Sequence, residues 1–338
     1  MTMKKRIKTA GAMTLAAITV LSAAGLSSVY GALGVETDKK CSLTFEQDTT
    51  YPELQDMTIP VDLYRVAEIT EEAQYTAVSG YESLEVDKVS STTTAQEWEE
   101  MAEEAMRLAT EMNAVPTAEV DVAKDATTGK VTGTANDLAT GLYLVAAETV
   151  MSPEYIYDFA PYLVSLPNNY YSTENPDDTW VYDVTAGMKP HQELRYGDLE
   201  IVKTLRSYNT SLQDALFVFQ VEGVREGENV YSDVVTMNFQ EAGQKSVLVK
   251  DLPAGTVVTV TEIYSGGSYK NVSEADVVTT TIIAEGEEKN PVSVSFTNEY
   301  DGHLIPGTGI VNHFEKVQDG EKDRWQWEQR VDDTESVR

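Results

Sequence analysis

Cysteine, histidine and basic residues are all scarce in this chain. A single cysteine, Cys41, and three histidines occur among 338 residues, which excludes a disulfide scaffold, a cysteine-based zinc site and a thiol redox pair. The histidines, His191, His303 and His313, have no metal-ligand spacing. Lys and Arg number 25 against 56 Asp and Glu, a net charge of −31. Such a polyanion repels nucleic-acid phosphates and anionic lipid. Neither GxSxG, HExxH, a glycine-rich phosphate loop nor a DxDxDG calcium loop is present. Beyond the N-terminal segment no apolar run approaches the ~20 residues of a membrane span. These absences leave a structural or binding protein, with no enzymatic activity, metal or cofactor expected.

What is present supports a folded, exported chain. Hydrophobic residues make up 41% and tyrosines number 18, enough to bury real cores. The N-terminus has a basic MTMKKRIK stretch, an apolar run from Ala10 to Leu26, and small residues around Val29-Tyr30-Gly31. Residues 1–31 therefore read as a signal peptide. At roughly 150 residues per domain the remainder makes two domains.

Residues 32–196 form the first. Ile59–Val66, Gly141–Val145 and Tyr162–Leu166 are apolar runs of strand length bounded by turn residues. One helix is expected over about 95–112. Thr94 and Glu97 supply a capping box, Trp98, Met101, Ala105, Leu108 and Met112 recur at helical spacing, and Pro116 follows. Glu99, Glu100, Glu103 and Glu104 make its solvated face. The polar stretch Lys189–Tyr196 lacks periodicity and is read as a linker. From 197 to 301 the chain is almost all strand: Leu199–Lys203, Leu216–Val221, Lys245–Val249, Val257–Ile263, Val277–Ile283 and Val292–Asn298. Short strands at that spacing predict an antiparallel sandwich. Leu138-x-x-Gly141 with Glu148, and Leu252-x-x-Gly255 with Glu262, repeat one pattern at equal spacing. The fold class is thus all-β, two β-sandwich units of common origin with a helix inserted in the first.

Lys203 on the first strand of the second domain, Glu262 ending the Val257-to-Thr261 strand, and Asn298 on the last strand together resemble the CnaB-type domains of Gram-positive surface proteins. The resemblance covers about residues 197–301 and implies immunoglobulin-like sandwiches with a Lys203–Asn298 isopeptide bond formed under the influence of Glu262. Elementary chemistry suits those roles. Burial among Ile201, Phe217, Phe219 and Phe296 disfavours an ammonium and leaves a nucleophilic amine, while a desolvated Glu262 stays protonated and can pass its proton to departing ammonia. The first domain lacks the trio: Cys41–Phe45 contains no lysine, and Glu148 has nothing to activate.

Trp180, Val184 and Lys189 have the spacing of the pilin motif of sortase-assembled Gram-positive pili, although Ala186, Gly187 and Met188 replace its usual Val-Tyr-Pro. In that family the lysine accepts the preceding subunit. The resemblance implies a sortase and other copies of the chain, or other pilin subunits, as partners. Trp180 and Val184 are expected to point inward from one strand, with Lys189 beyond its end. A monomeric adhesin, with a host or matrix ligand the sequence does not identify, is the rival reading. Ile305-Pro306-Gly307-Thr308-Gly309 fits the sorting pattern, but no apolar span follows it. The continuation reads instead as a hairpin, Ile310–Val317 and Arg324–Val331, with Trp325 and Trp327 on one face. Residues 302–338 are expected to stay in the protein as a sorting-like motif and hairpin tail.

Overall fold

The computed structural model describes residues 34–90, 92–169, 180–212, 214–302, 310–319 and 322–331. The signal-peptide segment 1–31 and the sorting-like residues Ile305 to Gly309 lie outside them. The chain divides into two compact units, Met1–Val150 with Tyr157–His191, and Met151–Ile156 with Gln192–Arg338.

In chain order the first stretch contains β1 (Cys41–Gln47), β2 (Ile59–Ile69), β3 (Tyr75–Ala77), α1 (Ala95–Met112), β4 (Ala118–Lys124), β5 (Val131–Leu138), β6 (Gly141–Ala147), β7 (Val150–Met151), β8 (Tyr155–Phe159), β9 (Tyr162–Leu166), β10 (Asp183–Gly187) and β11 (Pro190–Leu194). The rest contains β12 (Tyr196–Leu205), β13 (Ala215–Arg225), β14 (Glu228–Phe239), β15 (Gly243–Pro253), β16 (Val257–Tyr264), β17 (Tyr269–Asn271), β18 (Val277–Thr281), β19 (Val292–Tyr300), β20 (Ile310–Asp319) and β21 (Lys322–Val331). The all-β class holds. β11 falls inside the stretch read as a linker: only Pro190 and Leu194 of its five residues are apolar, and both are half-buried, too few to show a hydrophobic period.

The first unit's main sheet runs β10-β1-β5-β4-β2-β6-β9. The second unit has two sheets, β15-β12-β19-β17 and β14-β13-β16-β18. Matching β1 to β12, β5 to β15, β2 to β13, β4 to β14, β6 to β16, β9 to β18 and β10 to β19 reproduces every shared neighbour relation. The two units share their strand order apart from the β4–β5 pairing, which joins the first unit's strands into one sheet and has no β14–β15 counterpart, and the repeated Leu-x-x-Gly falls at the same corner in each. Gly141 opens β6 with φ 155° and Gly255 precedes β16 with φ 77°. A Cβ on Gly141 would also lie 2.4 Å from the Ala67 carbonyl oxygen, so that position needs glycine for its backbone and for its space.

One feature departs from the antiparallel expectation. In both units the first strand pairs with the last in parallel, β1 with β10 and β12 with β19. A parallel pairing of first and last strands brings the chain in at one end of the pair and out at the other, so tension along the chain shears that pair.

α1 covers the expected residues. Thr94 Oγ1 accepts from Glu97 N at 3.2 Å and Glu97 Oε2 accepts from Thr94 N at 2.6 Å, which closes the capping box. Its buried line is Ala102, Ala105 and Ala109, with Trp98, Met101 and Leu108 packed at the margins and Met112 exposed. The larger apolar residues flank the contact because alanines let the helix axis approach its neighbours closely. Glu99, Glu100 and Glu103 face solvent, and Glu104 pairs with Arg107 at 2.5 Å.

Beyond residue 309, β20 and β21 pair antiparallel from Ile310–Val331 to Asp319–Lys322. Trp325 and Trp327 therefore occupy alternate positions of one strand. No helix among the described residues is long and apolar enough to cross a membrane.

Candidate functional site

Strand alternation alone carries Lys203 into the core. Along β12, Leu199, Ile201, Lys203 and Leu205 are buried and the residues between them are not. Along β19 the inward row is Val292, Val294, Phe296 and Asn298. These strands are neighbours in register, with Lys203 beside Phe296 and Leu205 beside Asn298. Lys203 and Asn298 therefore project from adjacent strands into the same layer. Glu262 comes from the opposite sheet. A register shift in the β13–β16 pairing puts Glu262 across from Phe219, and its side chain is 1% exposed.

The three side chains meet. Lys203 Nζ donates to Glu262 Oε1 at 2.5 Å and to Asn298 Oδ1. The ammonium also lies 4.5 Å from the Phe217 ring centroid and 5.6 Å from that of Phe219. Phe217, Phe219, Phe296 and Ile201 are all fully buried, as the sequence predicts.

This setting changes the proton balance. Burial is the dominant cause that pulls Lys203 down from 10.5 to about 8, against the opposing pull of Glu262. Burial likewise raises the Glu262 carboxyl above its usual range, again opposed by Lys203. Both shifts favour the uncharged pair, a free amine beside a carboxylic acid. One further observation singles out Asn298. Its Nδ2 is buried and makes no hydrogen bond of normal geometry, while the amide still interacts with the Glu262 carboxyl and lowers its pKa.

Asn271 and Ser273 belong to the site and carry no sequence signal that predicts them. Asn271 Nδ2 donates to Glu262 Oε2 at 2.8 Å. β17, which presents Asn271, pairs it directly with Asn298 on β19. The strand is three residues long and has too few positions to show a period.

Of the three pilin-motif residues, Trp180 is placed differently from expectation. Val184 is buried in β10, beside Leu43 of β1. Trp180 precedes β10 rather than sharing it, because the bridge between Asn168 and Val181 intervenes; it packs half-buried against the helix-side core. Lys189 is exposed two residues past the strand end, with its Nζ 5.0 Å from the Tyr162 ring centroid. Its carbonyl accepts from Ala160 N at 3.2 Å.

At the matching positions of the first unit the chemistry is absent. Aligning Lys203–Phe296 with Leu43–Val184 puts Ala186 where Asn298 stands. Leu43 and Ala186 are buried, and Glu148 is exposed.

Residues 199–301 match a family model described as a domain of unknown function (DUF5979). No curated protein matches. Among solved structures, the minor pilin GBS52 of Streptococcus agalactiae is similar at 14% identity and TM-score 0.22, over 80% of this chain and 99% of that one. The SpaE basal pilin of Lactobacillus rhamnosus GG is similar at 12% identity and TM-score 0.30, over 77% and 100%. The full-length major pilin SpaD of Corynebacterium diphtheriae is similar at 10% and 0.26, over 79% and 99%. At such identities and TM-scores these likenesses fix no function, and the functional reading rests on the side chains.

Proposed function

We propose that the second unit joins Lys203 to Asn298 by an intramolecular isopeptide bond, and that the protein is an exported structural subunit of a Gram-positive surface fibre. The observation that carries the first part is the buried contact of Lys203 with both Glu262 and Asn298. The neutral Lys203 amine attacks Asn298 Cγ and forms the new N–C bond. Glu262 protonates the carbonyl oxygen, takes a proton from Nζ, delivers one to Nδ2, and recovers the oxygen's proton as the carbonyl re-forms. The old C–N bond then breaks and ammonia leaves, with Glu262 protonated again at the end. No oxidant or cofactor enters the balance.

The bond ties the first strand of the unit to the last, 95 residues apart. Closing a loop of that size stabilises by about 4–5 kcal/mol on chain-entropy grounds. Because β12 and β19 are parallel, it also stands across the pair that tension shears. A unit with these properties is suited to carry tension along the chain.

In the fibre reading Lys189 is the amine that receives the threonine carbonyl of another subunit from a sortase. Its exposure at the end of β10, next to the buried Val184, supports that role. The antiparallel hairpin formed by β20 and β21 favours a second reading. The pairing begins at Ile310, directly after the sorting-like residues, where a sorting signal continues into a membrane span, so a monomeric adhesin stalk with a host or matrix ligand fits the tail better. On cells carrying the cognate sortase, Lys189→Arg abolishes a high-mass ladder if the fibre reading holds. A ladder unchanged in that variant overturns it, and wild-type protein that forms none supports the stalk. Independently, the purified second domain is lighter than its sequence mass by one ammonia, and Glu262→Ala restores the full mass. An intact mass equal to the sequence mass in the wild type removes the bond from the account.

A further inference from the structure

Glu262 has two carboxyl oxygens with different neighbours. Oε1 faces Lys203 Nζ at 2.5 Å, and Oε2 accepts from Asn271 Nδ2 at 2.8 Å. The orientation of the Asn271 amide is settled by its other end, since Asn271 Oδ1 accepts from Ser273 N at 2.7 Å. A backbone N–H only donates, so the atom facing it is the oxygen, and the group facing Glu262 is the NH2. Oε2 is thereby committed to accepting, and a proton on Glu262 belongs on Oε1. The same turn is tied to the electrophile's strand. Ser273 Oγ accepts from Thr297 N at 2.6 Å, and Val272 N donates to Thr297 O at 2.8 Å, one residue before Asn298.

From this geometry we propose that Asn271 is a positioning residue for bond formation, which holds Glu262 so that its shuttled proton sits on Oε1, against Lys203 and Asn298. The inference rests on the reading that Lys203 and Asn298 become joined. Without the Asn271 donor the carboxyl can rotate or protonate on Oε2, the oxygen that does not face Lys203 Nζ. The groups facing Glu262 are few: Lys203 from β12, Asn298 from β19, Phe219 opposite it on β13, and the charge of Asp276 ahead of β18. Lys270, next to Asn271, is paired with Glu299 at 3.1 Å.

The test follows full-length chain made in a cell-free system, with ammonia loss timed by intact mass across a pH series. One proton shared by Lys203 and Glu262 serves the reaction, so the parent rate is level through the middle of the range. Asn271→Ala slows the reaction by roughly tenfold or more, within the range of a general acid–base contribution. Asn271→Asp keeps the acceptor for Ser273 N and so keeps the turn. Its carboxylic acid can donate to Oε2 and its carboxylate cannot, so its rate recovers on acidification and falls as pH rises, a limb the parent lacks. Parental rates in both variants overturn the proposal, as does slowing in Asn271→Asp that is equal at every pH. If Asn271→Ala does not fold, the pH profile of Asn271→Asp decides alone. A parent that loses no ammonia overturns the isopeptide reading itself and the proposal with it. A parent that reacts beside variants that react equally well overturns only the role of Asn271.

Discussion

The two units share one strand order but spend their innermost positions differently. In the first, Leu43 and Ala186 fill the layer between the first and last strands. In the second, Lys203 and Asn298 stand there, with Glu262 brought in from the facing sheet. The first unit takes the ordinary apolar solution, and its Glu148 stays at the surface. The second accepts a buried charge and a buried amide, groups that cost several kcal/mol unless they are paired or neutral. The difference shows that the fold does not require the trio. What the trio adds is the chance of a covalent tie between strands that are already neighbours.

The largest effect should come from cutting that tie. Asn298→Ala leaves Lys203 and Glu262 in place but removes the electrophile, and the second unit should lose about 4–5 kcal/mol. Differential scanning calorimetry will then show its transition moving towards that of the first unit. The uncrosslinked variant also gains a pH dependence. Lys203 has a folded pKa of about 8 against 10.5, so between these values the unfolded chain binds more protons. Stability of the second unit rises with pH through that window, and the cost of the buried ammonium is fully present below it. The first unit has no buried lysine among the described residues, and no such rise is expected there.

Putting a lysine into the first unit breaks the comparison from the other side. Leu43→Lys places an ammonium where neither an amide nor a buried acid awaits it. The expected cost is about 3–5 kcal/mol, as for an uncompensated buried charge, with no loss of ammonia by mass. Denaturant unfolding measures the first, and intact mass the second. A stable variant that sheds ammonia would mean that the first unit holds a hidden acid.

Much of the second unit was legible in the sequence because its strands alternate. Lys203 and Asn298 sit in rows of Leu, Ile, Val and Phe, and period-two reading alone turns them inward. Glu262 is harder: Ile263 beside it is also buried, and the register shift that turns it inward leaves no mark in the sequence. β14 escaped prediction because it runs mostly half-buried and exposed until Met237. Asn271 escaped because its value lies in a hydrogen bond to a residue on another strand. In the first unit the helix limits follow from Thr94, Glu97 and the apolar period, but its buried line of alanines does not. Trp180 was given a strand position that the bridge at Val181 denies it.

A smaller change sharpens the comparison without touching the trio. Thr94→Ala removes the side-chain half of the capping box on α1, an element the second unit lacks. About 1 kcal/mol should be lost, confined to the first unit's transition in calorimetry. A shift of the second unit's transition instead would contradict the assignment of this cap to the first unit.

The central claim is the bond between Lys203 and Asn298, and tandem mass spectrometry of a proteolytic digest of the full chain tests it most directly. The account predicts a branched peptide in which the β12 segment is joined through Lys203 to the β19 segment through Asn298, lighter by one ammonia than the two together. Linear peptides carrying an unmodified Lys203 and an unmodified Asn298, with no branched species, would contradict it.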